Sequence, residues 1–458
     1  MTERTFRPYD PDQMLLLPPS LKEWLPSDHL VYFVEELVDN LDLDAILSSY
    51  GGPARGTVPY DPRLLTAVLI YGYCSGVFSS RRMARKLEED VAFRVLAANQ
   101  RPDFRTISDF RKAHLPALSG LFVQVLQLCR AAGLVKLGHV ALDGTKIKAN
   151  ASKHKAMSYE RMGKEEARLK QEVDALLRQA DELDRQEDAE YGADRRGDEL
   201  PKELAFREGR LKKIREAKET LEREAKEEAE ARKREREARE KEGPVSGPKP
   251  KESNPEPDPK SQKNFTDPES RIMPSPADKK SFMQAYNCQA AVDGKGQIIV
   301  AADVTQEPND KKQAIPIMAQ VLLNIGAAPK KALMDAGYFS ENNIAGVEKL
   351  GTEIFMPPRR QKHGEKAETP GRGRIPGNFP PVERMKRKLR TKRGREAYAL
   401  RKEIAEPVFG QIKQARGFRQ FLLRGVAKVK GEWSLVCTTH NILKLWKSGR
   451  FTPRLALS

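Results

Sequence analysis

Histidine and cysteine are scarce, with 6 His and 4 Cys among 458 residues. Cys74, Cys129, Cys288 and Cys437 are too far apart for a paired zinc motif, and they suit reduced thiols better than a disulfide framework. The histidines are as scattered, which argues against a His-based metal site. No apolar run approaches the ~18 residues a membrane span needs. The opening MTERTFRPYDPDQ has no apolar core behind its Arg residues, so it does not read as a secretory leader. A cytoplasmic protein is expected. What the chain does have is charge, at 32% of residues against 39% hydrophobic. That is too polar for a membrane protein and too apolar for a disordered one, and the length suits two to four domains.

The charge is unevenly placed. The net value is +17, yet residues 153–260 hold 28 basic and 30 acidic groups, while 357–458 hold 26 basic and 7 acidic. All the positive excess therefore lies in the last hundred residues, and a local field of that size points to a polyanion. The tract from Arg384 to Arg395 is expected to dominate non-specific affinity for it.

Residues 1–135 read as helical. Asp61 and Pro62 start a helix with a continuous apolar face, Gly76 breaks it, and Ser79 or Ser80 caps a second helix carrying Arg81, Arg82, Arg85 and Lys86. Thr106 or Ser108 is expected to cap a third. A basic middle helix fits a helix-turn-helix DNA reader, and it fits an ordinary bundle with a solvated face as well. At 136–152 the texture changes: GHVALDGTKIKAN alternates and reads as a strand ending in the turn Asp143-Gly144. Residues 153–242 read as a coiled-coil-like helical hairpin, with Leu169, Val173, Leu176, Ala180 and Leu183 as its first seam and Leu211, Ile214, Leu221 and Ala225 as a less regular second. Residues 243–278 contain nine prolines and read as a mobile linker. From 279 to 446 the pattern is a hairpin about Asp293-Gly294-Lys295-Gly296, a helix, a strand ending in Asp335-Ala336-Gly337, a short strand, and a helix from about 396 to 416 containing Glu406. Pro407 marks a helix start or kink. Residues 447–458 are a tail.

Without the insertion, this is the order of an α/β, RNase H-like domain. In that arrangement Asp143, Asp335 and Glu406 converge from two strand ends and a flanking helix. Three oxygen ligands without His or Cys suit Mg²⁺ or Mn²⁺. Two such ions clamp the oxygens of an in-line phosphoryl displacement. The glycines at the two Asp-Gly-type strand ends, Gly144 and Gly337, would let a phosphodiester backbone come close. Taken singly, each Asp reads as a turn former and Glu406 as a solvated face residue. Glu403 is the rival third ligand.

Several blocks, in order, carry a resemblance. YDPRLLTAVLIYGYCSGVFSSRRMARKLEEDVAFRVLA, ALDGTKIKANASKHKAMSYERM, QAYNCQAAVD, ALMDAGYFSE and AEPVFGQIKQARGFRQFLLRG resemble a DDE transposase of a bacterial insertion sequence, from the branch with a helical insertion after the first catalytic strand. The resemblance implies Asp143, Asp335 and Glu406 as catalytic and metal-holding residues, with two Mg²⁺ or Mn²⁺ ions. It implies cleavage at terminal inverted repeats and attack of the freed 3′-OH on target DNA, with double-stranded DNA as partner and a homodimer on it. Its related signature reads Tyr, two residues, Arg, three residues, Glu, six residues, Lys. Glu406 and Lys413 keep the last gap, but Lys402 stands where the Arg would be and Tyr398 is one position early, leaving Arg401 and Lys402 both as candidates. Lys146, Lys148, Tyr398, Arg401, Lys402, Lys413, Arg416, Arg419 and Arg424 are candidate DNA contacts. The competing readings are a non-catalytic or degenerate DNA-binding protein and an RNase H-like nuclease without strand transfer.

Overall fold

The computed structural model describes residues 20–50, 58–191, 202–242, 254–275, 281–359 and 379–451. Helices α1 (Leu30–Asp39), α2 (Asp44–Leu47), α3 (Pro62–Cys74), α4 (Ser80–Glu89), α5 (Val91–Leu96), α6 (Phe104–Ala113) and α7 (Leu115–Ala131) precede the first strand. Asp61 starts α3 by accepting the Arg63 N–H at 2.7 Å, and Pro62 occupies the first turn, where a missing N–H costs nothing. Gly76, at φ +77°, follows that helix in the left-handed region. The cap of α6 is Asp103, which accepts the Thr106 N–H at 2.7 Å. Thr106 and Ser108, expected to cap it, lie inside the helix.

The strands form one mixed sheet. They are β1 (His139–Lys148), β4 (Arg271–Pro274), β5 (Phe282–Asp293), β6 (Ile299–Thr305), β7 (Lys331–Met334) and β8 (Glu353–Phe355), while the short β2 (Ala156–Ser158) and β3 (Gln262–Asn264) pair separately. The order is β6, β5, β1, β7, β8, with β4 sharing the β6 edge of β5 end to end. β5 runs antiparallel to β1 and β6, whereas β7 and β8 run parallel to β1. The parallel crossover from β6 to β7 is made by α10 (Ala314–Ile325), and α11 (Glu341–Lys349) joins β7 to β8. Among the described residues, α12 (Pro381–Arg390), α13 (Lys392–Gly410) and α14 (Val426–Ser448) complete the chain.

One hydrophobic core joins Val34, Leu69 and Leu126 of the first helices to Val140, Ile299 and Trp433. The change at residue 135 is thus one of secondary structure and not of core. Trp433 is fully buried and donates to the Gln289 carbonyl at 3.1 Å. Beside it the buried Glu432 accepts the Tyr73 hydroxyl at 3.2 Å and the N–H groups of Leu422 and Leu423 at 3.0 Å each. Arg111 donates to the same hydroxyl at 3.1 Å, so α3 and α6 are tied to the 416–425 segment through a buried polar network. All four cysteines are buried free thiols. Among the described residues no helix is long and apolar enough to cross a membrane.

The insertion is two packed helices, α8 (Tyr159–Tyr191) and α9 (Lys202–Glu242). Ion pairs Glu172–Arg207 and Glu166–Arg215, both 3.0 Å, ascend one helix as they descend the other, so the pair is antiparallel. Met162, Leu169, Leu211, Ile214 and Leu221 form its core. Val173 is buried and Leu176 half-buried, while the side chains of Ala180 and Leu183, and the 192–201 connection, lie outside the described residues.

Two expectations need correction. The stretch 243–278 is not a plain linker: β3 pairs with β2, β4 pairs with β5, and the buried Asp267 accepts the Tyr286 hydroxyl at 2.9 Å. Its polar residues had buried partners waiting, so low apolar content misled; 243–253 and 276–280 lie outside the described residues. The basic tract before 396 is itself helical, because Arg and Lys are good helix formers and Met385 is buried. Pro407 sits inside α13, which runs on to Gly410 and then a π-helical turn, Gln411–Ala415.

Candidate functional site

The register of β1 and β7 builds the site. Leu142 pairs with Met334, so Asp143 and Asp335 occupy neighbouring positions where the parallel ladder stops. Asp143-Gly144 is not the turn that its composition predicts. β1 continues to Lys148, with Asp143 opposite Ala290 and Gly144 opposite Gln289, because β5 is long enough to pair with it throughout. Beyond β7 the chain does turn, and Asp335 accepts the Gly337 N–H at 2.8 Å.

Helix α13 packs across β1, β5, β7 and β8 and supplies the rest. The Arg401 guanidinium lies 3.3 Å from Asp143 Oδ2 and 3.9 Å from Glu406 Oε1. Arg401, not Lys402, therefore faces the carboxylates; Lys402 is exposed, and Tyr398 is partly buried beside Arg401. Burial raises the Tyr398 hydroxyl above its ordinary value; Arg401 opposes this, while the Asp335 and Asp143 charges add to it. Glu403 is turned away. It lines a cavity of about 730 Å³ with Lys136, His139, Gln297 and Lys444, at the start of β1 and not at the Asp143 level.

The carboxylates crowd one another. Burial raises the Asp143 carboxyl to about 6; Asp335 and Asp310 push the same way, while Arg401 and the Gly144 N–H oppose them. A raised carboxyl favours folding below its unfolded value of 3.8 and loses that advantage as pH rises through about 6. Ionised Asp143 thus costs the metal-free fold up to about 3 kcal/mol at neutral pH, from ~1.4 kcal/mol per unit. Asp143→Asn should stabilise the protein by about 1–3 kcal/mol at pH 7.5 and by nearly nothing at pH 4. Urea melts without divalent ions at both values check this; an Asn variant less stable than wild type at pH 7.5 contradicts it.

The other basic candidates divide. Lys148 and Arg419 are exposed and lie on adjoining backbones, the Lys148 N–H donating to the Arg419 carbonyl at 3.3 Å. Arg424, also exposed, donates to the Asn150 carbonyl at 2.9 Å, and Lys146 lies on the same strand as Lys148. These four converge on the far end of β1. Lys413 points inward to the Thr145 hydroxyl and to the Lys146 carbonyl at 3.1 Å. Arg416 is a correction: it is buried and donates to the Val436 carbonyl at 3.2 Å and Thr439 Oγ1 at 2.8 Å, so it serves the core and not a phosphate. Much of the 384–395 tract is also occupied: Lys388 and Arg393 both pair with Glu353, at 3.3 and 3.0 Å, and Lys386 pairs with Glu383 at 2.6 Å.

Sequence reading missed Asp310. Its Oδ1 accepts Asn287 Nδ2 at 2.7 Å and Gln289 Nε2 at 2.6 Å. The available signal was the pair of amides alternating along an otherwise apolar strand, AYNCQAAV, where a buried amide demands a partner. Gly144 exists for this contact: a Cβ there would meet Asp310 Oδ1 and Gln289 Nε2 at 2.6 Å each. The neighbour needing room is thus a carboxylate of the protein itself.

Residues 19–113 match the family model described as a transposase domain (DUF772), and residues 253–442 match the transposase DDE domain. The chain belongs to the DDE transposases of insertion sequences. The DDE match implies an RNase H-like fold for this transposase, and it spans Asp335 and Glu406, whereas Asp143 lies between the two matched regions. No curated protein and no solved structure matches the transposase.

The family generally uses divalent metals such as Mg²⁺. The donor set fits: carboxylate oxygens only, with Asp335 and Asp310 adding to the burial that raises Asp143. Among the described residues no three His, Cys, Asp or Glu side chains already stand together tightly enough to hold an ion. Arg401 bridges Asp143 and Glu406 instead.

Proposed function

We propose that this transposase cleaves the ends of its insertion sequence at terminal inverted repeats and joins the freed 3′-OH ends to target DNA. The observation that supports this reading is the β1/β7 register, with Asp143 beside Asp335 and Glu406 reached through Arg401. Asp143, Asp335 and Glu406 would hold two Mg²⁺ or Mn²⁺ ions, whose chemistry is to activate the attacking oxygen and stabilise the leaving one. Arg401 keeps Asp143 and Glu406 oriented toward each other until metal takes its place. Lys146, Lys148, Arg419 and Arg424 bind the phosphate backbone and set its register against the carboxylates. The helices of 1–135 read the repeats. The test is a strand-transfer assay with a pre-cut repeat end, supercoiled plasmid and Mn²⁺. Joined product supports the reading; nicking without joining favours the nuclease reading, and binding alone the non-catalytic one.

The α8–α9 hairpin serves to pair protomers on two DNA ends. Its near-neutral balance makes it a poor primary DNA contact, and its apolar seam is spent between its own helices. The hairpin leaves and rejoins the body at one point, the Tyr159 N–H donating to the Ser261 carbonyl at 2.8 Å. Replacing 160–260 by a short Gly/Ser bridge should therefore keep the fold and single-end binding but abolish the two-end complex in sedimentation. If the shortened protein assembles that complex like the intact one, the pairing role is wrong.

A further inference from the structure

Asp310 does more than satisfy two amides. Its Oδ1 takes both bonds from Asn287 and Gln289, which are fully buried on β5 and locked by the Tyr338 hydroxyl on Gln289 Oε1. That leaves Oδ2 without a donor among the described residues, held at a fixed angle by the rigid strand beneath. Oδ2 lies 3.4 Å from where a Cβ on Gly337 would sit, and Asp335 Oδ1 lies 3.0 Å from the same point. On the other side, Oδ1 is in contact distance of Gly144, next to Asp143. The carboxylate of Asp310 thus stands between the two catalytic strand ends, in the gap their glycines open. An amide at 310 would accept the same two bonds, so the internal network gives no reason for a charge there. Four carboxylates share this edge and Arg401 forms ion pairs with Asp143 and Glu406, which leaves Asp310 and Asp335 with no ion pair of their own among the described residues.

We propose that Asp310 is a further ligand of the divalent-metal centre, its Oδ2 completing the oxygen set of Asp143 and Asp335. The inference rests on the metal-dependent reading above. It deepens that reading by adding a residue whose partners, Asn287, Gln289 and Tyr338, preset the ligand's orientation before metal arrives.

The test measures Mn²⁺ binding by titration calorimetry and by electron paramagnetic resonance, on intact protein without DNA. Asp310→Asn keeps the acceptor for both amides, so it should melt like wild type while binding Mn²⁺ about 10–100-fold more weakly. Wild-type Mn²⁺ affinity in a folded Asp310→Asn protein overturns the proposal. Asp335→Asn is the reference: if it too binds Mn²⁺ like wild type, the metal-dependent reading fails and the proposal with it. Loss at Asp335→Asn alone removes only Asp310. Should Asp310→Asn not fold, Fe²⁺ with ascorbate and peroxide maps the site on the wild-type chain. Cuts near 143, 335 and 310 are expected; cuts at 143 and 335 without 310 overturn the proposal.

Discussion

Asp143→Ala, Asp335→Ala and Glu406→Ala should each reduce Mg²⁺-dependent cleavage of a repeat end on the order of 10³-fold or more, with DNA binding little changed. The size follows from the chemistry. Metal-assisted stabilisation of a phosphoryl-transfer transition state supplies several kcal/mol, and each ~1.4 kcal/mol is tenfold in rate. Affinity survives because it comes from cations on the phosphate backbone, and none of the three carboxylates supplies one. Glu403→Ala is the matching control. Glu403 faces the cavity with Lys136 and Lys444, while Arg401 pairs with Asp143 and Glu406, so the loss of Glu403 should leave cleavage within a few-fold of wild type. A Glu406→Ala protein cleaving at the wild-type rate, or a dead Glu403→Ala protein, would transfer the third role to Glu403. Single-turnover cleavage and filter binding on the same preparations separate the two effects.

The second large effect concerns salt. Lys148→Ala, Arg419→Ala and Arg424→Ala together should weaken binding to any DNA sequence and flatten the plot of log affinity against log salt. Each lost phosphate contact removes roughly 0.9 from that slope, so the triple variant should lose close to 3 units. Charge count alone would have chosen Lys386 and Lys388, but these are paired with Glu383 and Glu353. Neutralising those two should change the slope by much less and cost stability, since Lys388 is half-buried and also donates to the Ile354 carbonyl at 2.9 Å. An unchanged slope in the triple variant, or a large change in the Lys386/Lys388 pair, would return the DNA face to the 384–395 tract.

Much was legible in the chain alone. The helix starting at Asp61-Pro62, the β5–β6 hairpin, the paired helices of the insertion and the order of strands and helices all follow from caps, turn residues and apolar period. Those are local signals, carried by residues within one or two turns of each other. Asp143, Asp335 and Glu406 could be nominated because acidic residues in that order, with the resemblance, left few rivals. What the tertiary structure decided was orientation. Which of Arg401 and Lys402, and which of Glu403 and Glu406, faces Asp143 depends on the rotation of α13 against the sheet, which is set by Ile404, Ala405 and Val408 entering the core. Arg416 looks from its neighbours like a phosphate contact, and only the packing of α14 shows it turned into the interior. The 262–274 stretch reads as linker because its order comes from β2 and β5, distant in sequence. Asp310 became visible only when β1, β5 and the loop before α10 were folded together. The side-chain period of a strand or helix says which residues share a face. Which face meets which partner depends on contacts between segments far apart in the chain, and no local pattern encodes those.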